Sequence, residues 1–138
     1  MNKKIVVVVV LLIVVFSAGF IPQYVKAMRV EKELSEARQE ISLAQLRDLA
    51  GLAYLQTSQK DYGLASATST RFFNRTREVA NQTPDSSGRK LLEDVLNLRD
   101  RITGELATGD PAALSDLQTL VLKTRQATAA PASAGQAE

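Results

Sequence analysis

The residues best suited to bind a charged partner stand together in the middle of the chain, at Arg71, Phe72, Phe73, Arg75 and Arg77. On a helix Arg71 and Arg75 share a face, because residues four apart are neighbours on its surface. Guanidinium groups so placed can hold anionic lipid headgroups, a phosphate or an acidic partner helix. The alternative is a solvated face that forms ion pairs with Glu78 and with neighbouring helices. We predict a partner or anionic-lipid contact that consists of Arg71, Phe73, Arg75 and Arg77.

Phe73 lies one position away from the apolar stripe that contains Phe72. If it is exposed beside the arginines, it adds an apolar contact to the basic face. If the helices form a bundle wide enough to bury both rings, it belongs to the core.

Little else in the chain offers chemistry. There is no cysteine and no histidine, which excludes disulfides, thiolate catalysis, zinc sites and histidine acid–base chemistry. Glu93 and Asp94 are adjacent on a helix and point about 100° apart, which suits solvent better than a shared proton. An enzyme would have to use carboxylates or Tyr54 and Tyr62, and glycine-rich phosphate loops are absent. We predict a protein that is not an enzyme and that needs no cofactor and no metal.

The charge balance argues against a nucleic-acid partner. The chain has 17 basic and 15 acidic residues, and Lys3 and Lys4 supply the basic excess. From Lys26 onward the charges cancel, so the sequence pI of about 9.0 does not indicate binding to nucleic acid.

The element that must position everything else is an apolar run that begins directly after Lys4. It extends without a charge from Ile5 to Ile21, through Val10 and Val15. A helix over 5–21 rises about 25 Å, and extension to residue 25 brings it close to the roughly 30 Å of a bilayer core. We predict a cytoplasmic N-terminus at 1–4 and a transmembrane helix or signal anchor at 5–25. Its predicted interfacial anchors are Lys3, Lys4, Tyr24, Lys26 and Arg29.

The same run also fits a cleaved secretory signal, in which Pro22 breaks the helix and Val25-Lys26-Ala27 forms the cleavage site. Its length and the lysine inside that site favour an uncleaved anchor. In both interpretations Lys3 and Lys4 keep the N-terminus in the cytoplasm and the rest of the chain is exported.

The segment from 26 to 57 is rich in strong helix formers and predicts one long helix. Its apolar residues alternate at spacings of four and three, as in a short coiled-coil seam: Val30, Leu34, Ala37, Ile41 and Ala44. Asp48 interrupts this pattern after about two heptads. We predict a homodimer through residues 30–44, with packing on the same chain as the alternative.

Three further helices are predicted, at 61–82, 88–108 and 111–126. Asp61 and Asp110 are good caps for the turns, and the loop at 81–88 concentrates helix breakers. The stripe of the second helix contains Ala65, Ser69, Phe72, Thr76 and Val79, with Phe72 deepest. The third helix presents Leu91 or Leu92, Val95, Leu98, Ile102 and Leu106, and the fourth presents Ala113, Leu114, Leu117, Leu120, Val121 and Thr124. The segment 127–138 is rich in alanine and proline and is expected to be disordered.

Residues 49–80 resemble one tetratricopeptide hairpin, through Gly51-x-x-Tyr54 and then Asp61-Tyr62-x-x-Ala65. The chain departs from that family because the turn is about two residues too long and no second copy follows at a 34-residue period. Ser69 and Phe72 also stand where the pattern has an aromatic and a small residue. The resemblance implies a hairpin that binds protein.

The predicted fold is all-α: an N-terminal transmembrane helix, a long helix, and a small antiparallel bundle of two helical hairpins over 26–126. The predicted function is that of a single-pass membrane protein that acts as an interaction, scaffold or assembly factor. It would lie at the outer face of a bacterial-type inner membrane, with the lipid bilayer and other envelope or membrane proteins as partners. The alternative is a secreted or periplasmic adaptor or holdase released by cleavage near Ala27.

Overall fold

The computed structural model describes residues 3–129, and for residues 16–23 it describes the backbone only. Within that range the chain forms helices joined by short turns and contains no strand, so the predicted all-α class is confirmed. The helices are α1 Lys3–Ser58, α2 Tyr62–Gln82, α3 Ser86–Leu96, α4 Arg99–Thr108 and α5 Ala112–Thr128. The chain divides into two compact units, Met1–Arg38 and Gln39–Glu138, and α1 contributes to both.

The second unit is a helical bundle with one apolar core. Helix α2 packs against α3 and α4, and α5 packs against the same two helices. Phe72 is completely buried, as its place on the α2 stripe predicts. The core also contains residues from every helix: Leu46, Ala50, Ala53, Ala65, Phe73, Val79, Ala80, Leu92, Val95, Ile102, Leu106, Ala113, Leu117 and Leu120.

The two turns that fold this bundle back on itself share one construction. A residue with a left-handed backbone ends the first helix of each hairpin, Lys60 at φ 63° and Gly109 at φ 66°. An aspartate follows each of them and caps the next helix. Asp61 accepts the Leu64 N–H at 3.2 Å, and Asp110 accepts the Ala112 N–H at 2.9 Å. Both turns are therefore closed by backbone geometry and one carboxylate.

The predicted third helix, 88–108, is two helices in the structure. It begins earlier than expected because Asp85 caps α3 and accepts the Gly88 N–H at 2.7 Å. It breaks at Asn97 and Leu98, where the Leu98 N–H donates to the Val95 carbonyl at 3.2 Å, three residues back instead of four. The apolar stripe continues across the break, so the spacing of apolar residues did not reveal it.

The first unit is one end of α1. The predicted helices at 5–25 and 26–57 form this single helix without interruption. Every side chain from Ile5 to Val15 is between 48% and 62% exposed. No helix in the described part of the chain combines the length and the apolarity that crossing a bilayer requires. The predicted transmembrane span is therefore not supported, although residues 16–23 of that span, including Ile21, have side chains outside the described residues.

The segment predicted to be disordered, 127–138, begins inside a helix in the structure. Helix α5 continues to Thr128, whose buried hydroxyl donates to the Thr124 carbonyl at 2.8 Å. Residues 127 and 128 are therefore helical, and 130–138 of the predicted tail lie outside the described residues.

Candidate protein-interaction groove

Arg71 and Arg75 lie together in an open groove of about 490 Å³ between α1 and α2. We call it the Arg75 groove, and its lining consists of Gln45, Asp48, Leu49, Arg71, Asn74, Arg75 and Glu78. On each helix these residues are three or four positions apart, which places them on one face. The groove therefore follows from two polar helix faces that flank the buried stripes of the same helices.

Arg75 links the two walls of the groove. Its Nη1 donates to Glu78 Oε2 on the same helix at 2.8 Å, and its Nη2 donates to Ser42 Oγ on α1 at 3.0 Å. Its Nε is buried and has no hydrogen-bond partner among the described residues. Two of its five N–H donors thus hold the guanidinium in one orientation across the helix pair.

The other members of the predicted contact do not join Arg75 in one patch. Arg71 is exposed and lines the groove. Arg77 is exposed too, but it lies about 200° around the helix from Arg75 and is not part of the lining. Phe73 is 2% exposed and makes an edge-on contact with Phe72, with the ring centroids 5.1 Å apart. The prediction of Phe73 as a surface contact is wrong, because the bundle is wide enough to bury both rings.

The charges in the groove cancel. Asp48 and Glu78 offset Arg71 and Arg75, and Gln45 and Asn74 add neutral amides that both donate and accept hydrogen bonds. A phosphate or an anionic headgroup favours a surplus of positive charge, which this lining lacks. A polypeptide segment with polar side chains of both signs matches it better. The floor residue Leu49 is half-buried and offers a small apolar contact.

Sequence reasoning missed the α1 side of this groove. None of Ser42, Gln45 and Asp48 is among the predicted site residues, although all three lie beside the buried Leu46 on α1. The signal that identifies them is their position: polar residues that flank the buried stripes of two packed helices lie opposite one another, as these residues lie opposite Arg71 and Arg75.

A second polar cluster joins α4 to α5. Arg101 binds Asp116 with two groups: its Nη2 donates to Asp116 Oδ1 at 2.6 Å, and its Nε pairs with the other carboxylate oxygen. Burial raises the pKa of Glu105, and the hydrogen bond to Asp116 and the negative charge of that residue raise the pKa further. Arg101 opposes the increase. A protonated Glu105 can donate to Asp116, so these two carboxyl groups share a proton most readily in acid.

Glu105 and Asp116 are also absent from the predicted site residues. They lie on either side of the turn at 109–111, and a helical hairpin brings such residues together. Neither residue lines the Arg75 groove. The cluster is therefore a link between two helices and is separate from the groove.

The tyrosines considered for an enzyme contribute to packing. Tyr54 and Tyr62 are half-buried against the core, and the Tyr62 ring lies over the turn at Gly109. Among the described residues, no three acidic, histidine or cysteine side chains are placed to hold a metal ion.

A second groove, of about 480 Å³, lies among α1, α3, α5 and the connection between α2 and α3. Leu43, Leu91, Leu92 and Ala127 give it apolar walls. Asp85, its only charged lining residue in the described part of the chain, already caps α3. This groove offers less for the recognition of a charged partner than the Arg75 groove does.

Comparison with protein families, with curated proteins and with solved structures finds no match to this chain, so the tetratricopeptide resemblance rests on its own residues.

Proposed function

We propose that the chain is a membrane-attached interaction protein: its N-terminal run enters a lipid bilayer, and its helical bundle binds another protein through the Arg75 groove. The observation that carries the proposal is the unbroken exposure of apolar side chains from Ile5 to Val15. Full burial of one such side chain is worth roughly 1.5–3 kcal/mol, so the run strongly favours an apolar environment. A helix apolar on all faces suits lipid, where its backbone groups are satisfied internally.

The detailed proposal is a single span over 5–25, with Lys3 and Lys4 in the cytoplasm and the bundle at the outer face of a bacterial-type inner membrane. Lys3 and Lys4 at one end, and Tyr24, Lys26 and Arg29 at the other, are exposed where headgroup contacts are expected. Such a protein serves other envelope proteins as a scaffold or assembly factor.

The groove supports the binding part of this proposal. Its walls are fixed by the Arg75 hydrogen bonds, so little side-chain entropy is lost when a partner docks. Its balanced charges and its amides suit a polar peptide or helix.

The attachment is tested by separating membranes from cells that express the full chain and extracting them with alkaline carbonate. We expect the protein to stay in the membrane pellet. The double variant Val8→Lys, Leu12→Lys should move to the supernatant, because each lysine in a membrane helix costs roughly 2.5–3.5 kcal/mol. The matched control Ser35→Lys, Gln118→Lys adds the same charge at exposed polar positions and should stay in the pellet.

Extraction of the unmodified chain would contradict the span. The N-terminal residue of the mature protein then separates attachment from release, because a start near position 28 would favour the secreted adaptor.

Binding at the groove is tested with a photo-crosslinking amino acid placed at Asn74 in the native membrane. We expect a discrete adduct with one protein. The control carries the same group at Gln118, an exposed residue of α5 outside the groove lining, and should give no adduct or a different one. Identical adducts at both positions would contradict recognition by the groove.

A further inference from the structure

A second stripe of apolar residues in the first unit is left exposed by the described part of the chain. Ala27, Val30, Leu34 and Ala37 follow one another at spacings of three, four and three. All four are exposed, Val30 at 63% and Leu34 at 47%. In a heptad, Ala27 and Leu34 take the a positions, and Val30 and Ala37 take the d positions. These are the positions that two helices place against each other in a coiled coil.

The charges beside the stripe specify how a second copy would align. The g positions are Lys26 and Glu33, and the e positions are Glu31 and Arg38. In a parallel, in-register pair each g residue faces the e residue five positions later on the other helix. Lys26 then faces Glu31 of the partner subunit. Glu33 faces Arg38 of the partner subunit, so both contacts join opposite charges.

The antiparallel alternative brings like charges together. When two copies of the stripe overlap fully in antiparallel orientation, residue 32 lies at the centre of the overlap. Glu31 then faces its own copy, and Glu33 does the same. The outer face of the helix carries an exposed ion pair, Lys32 Nζ to Glu36 Oε1 at 3.9 Å, which lies away from the stripe.

We propose that this stripe is the seam of a parallel, in-register homodimer of the chain. Two heptads are too short for a stable coiled coil in water, where three or four are usual. The proposal therefore rests on the proposed membrane attachment, which holds two copies parallel and raises their effective concentration.

The test uses the full chain in phosphatidylcholine vesicles, and the natural absence of cysteine makes single-cysteine variants simple to interpret. Val30→Cys and Ala37→Cys, both at d positions, should form intersubunit disulfides on oxidation. The controls Lys32→Cys and Ser35→Cys, on the outer face, should form at least about fivefold less, because a disulfide needs Cα atoms within roughly 7 Å. Equal yields at all four positions would overturn the proposal. Crosslinking at only one d position would also overturn it, because an antiparallel pair brings at most one residue onto its own copy.

A charge exchange tests the register in the Ala37→Cys background. Glu33→Lys alone, or Arg38→Glu alone, should lower the disulfide yield roughly fivefold, because two symmetry-related attractions become repulsions. The double variant Glu33→Lys, Arg38→Glu should restore the yield. A purely local effect on the helix would not be rescued, and an unrestored yield would overturn the pairing.

Flotation of the same vesicles separates this proposal from the membrane attachment. A chain that floats with lipid and forms no disulfide at Val30→Cys or Ala37→Cys contradicts the dimer alone. A chain that forms both disulfides without floating contradicts the attachment and supports the dimer.

Discussion

Helix α1 contains two apolar regions with opposite environments. From Ile5 to Val15 every residue is apolar, and every side chain is exposed. In the bundle the apolar residues of α1 are sparser, yet Leu46, Ala50 and Ala53 are completely buried. The difference lies in spacing, since the buried residues recur every three or four positions and form one stripe. Apolarity alone therefore does not decide which region of a helix enters a protein core.

The physical reason is the number of helix faces that other groups must cover to remove each region from water. A stripe needs cover on one side only, and the shared core of the bundle provides it for Leu46, Ala50 and Ala53. A run apolar on all faces would need cover all around, which lipid provides more readily than a small bundle does. The same substitution should therefore change the free energy of unfolding strongly in one region and hardly at all in the other.

The largest difference is expected between Leu46→Ala and Leu12→Ala, which change the same residue type on the same helix. Leu46 is 0% exposed, so its truncation should lower the free energy of unfolding of the bundle by roughly 2–5 kcal/mol. Leu12 is 61% exposed, so its truncation should change the same quantity by less than about 0.5 kcal/mol. Urea unfolding of the detergent-solubilised full chain, followed by circular dichroism, measures both.

Leu52→Ala is an internal control, because Leu52 belongs to the bundle region of α1 but is 42% exposed. It should resemble Leu12→Ala. Equal losses for Leu46→Ala and Leu12→Ala would mean that the N-terminal run is part of the cooperative core, and the contrast between the two regions would not hold.

Much of the core was predictable because helical spacing reports one-sided burial directly. The five stripe residues predicted for α2 are all buried, and the caps at Asp61 and Asp110 both accept backbone N–H groups. The stripe of α5 is also largely correct, except that Leu114 lies at its border and is 36% exposed. These features depend on neighbours along the chain, which a sequence contains.

The missed features depend on contacts between helices. The break at Asn97 has no proline or glycine, and the stripe continues across it. The burial of Phe73 depends on the width of the bundle, which no single helix reveals. The Arg75 groove and the Glu105–Asp116 contact arise where polar borders of two helices meet. Helix faces were therefore predictable from sequence, and the pairing of their borders was not.

A smaller effect on the free energy of unfolding should distinguish two buried threonines of the bundle. The N-terminal run offers no such comparison, because its side chains from Ile5 to Val15 are all apolar. Thr124 has a buried hydroxyl oxygen for which the described part of the chain provides no hydrogen-bond partner. Thr76 is equally buried, but its hydroxyl donates to the Phe72 carbonyl at 2.9 Å. Thr124→Val should raise the free energy of unfolding by about 1 kcal/mol, because it removes an unsatisfied polar group at constant shape.

Thr76→Val is the matched control and should be neutral or slightly destabilising, since it removes a satisfied hydroxyl. Both variants are compared by urea unfolding under the same conditions. A stabilisation by Thr76→Val equal to that by Thr124→Val would show that any added methyl group improves this core, and that hydrogen bonding is irrelevant at these positions.

The smallest effect, and the only one that depends on pH, is expected at the polar link between α4 and α5. Burial and Asp116 raise the pKa of Glu105 in the folded chain, so the folded state holds this proton more tightly than the unfolded state does. The contribution of Glu105 to stability is therefore complete below the ordinary glutamate pKa of about 4.3, and it is lost as the pH rises through the raised folded value. Glu105→Gln keeps a donor to Asp116 without the charge.

At pH 7 the variant Glu105→Gln should be more stable than the unmodified chain by up to about 1 kcal/mol, which raises Tm by roughly 4–8 °C for a domain of this size. At pH 4 the gap should nearly close, because Glu105 is then protonated and donates to Asp116 itself. Thermal unfolding at the two pH values measures the gap. A gap of the same size at both would mean that the gain comes from packing, and that no proton passes between these two carboxyl groups. The effects at Leu46 and Thr124 should persist at both pH values, because neither side chain titrates. The effect at Glu105 depends on pH because this carboxyl group gains or loses a proton.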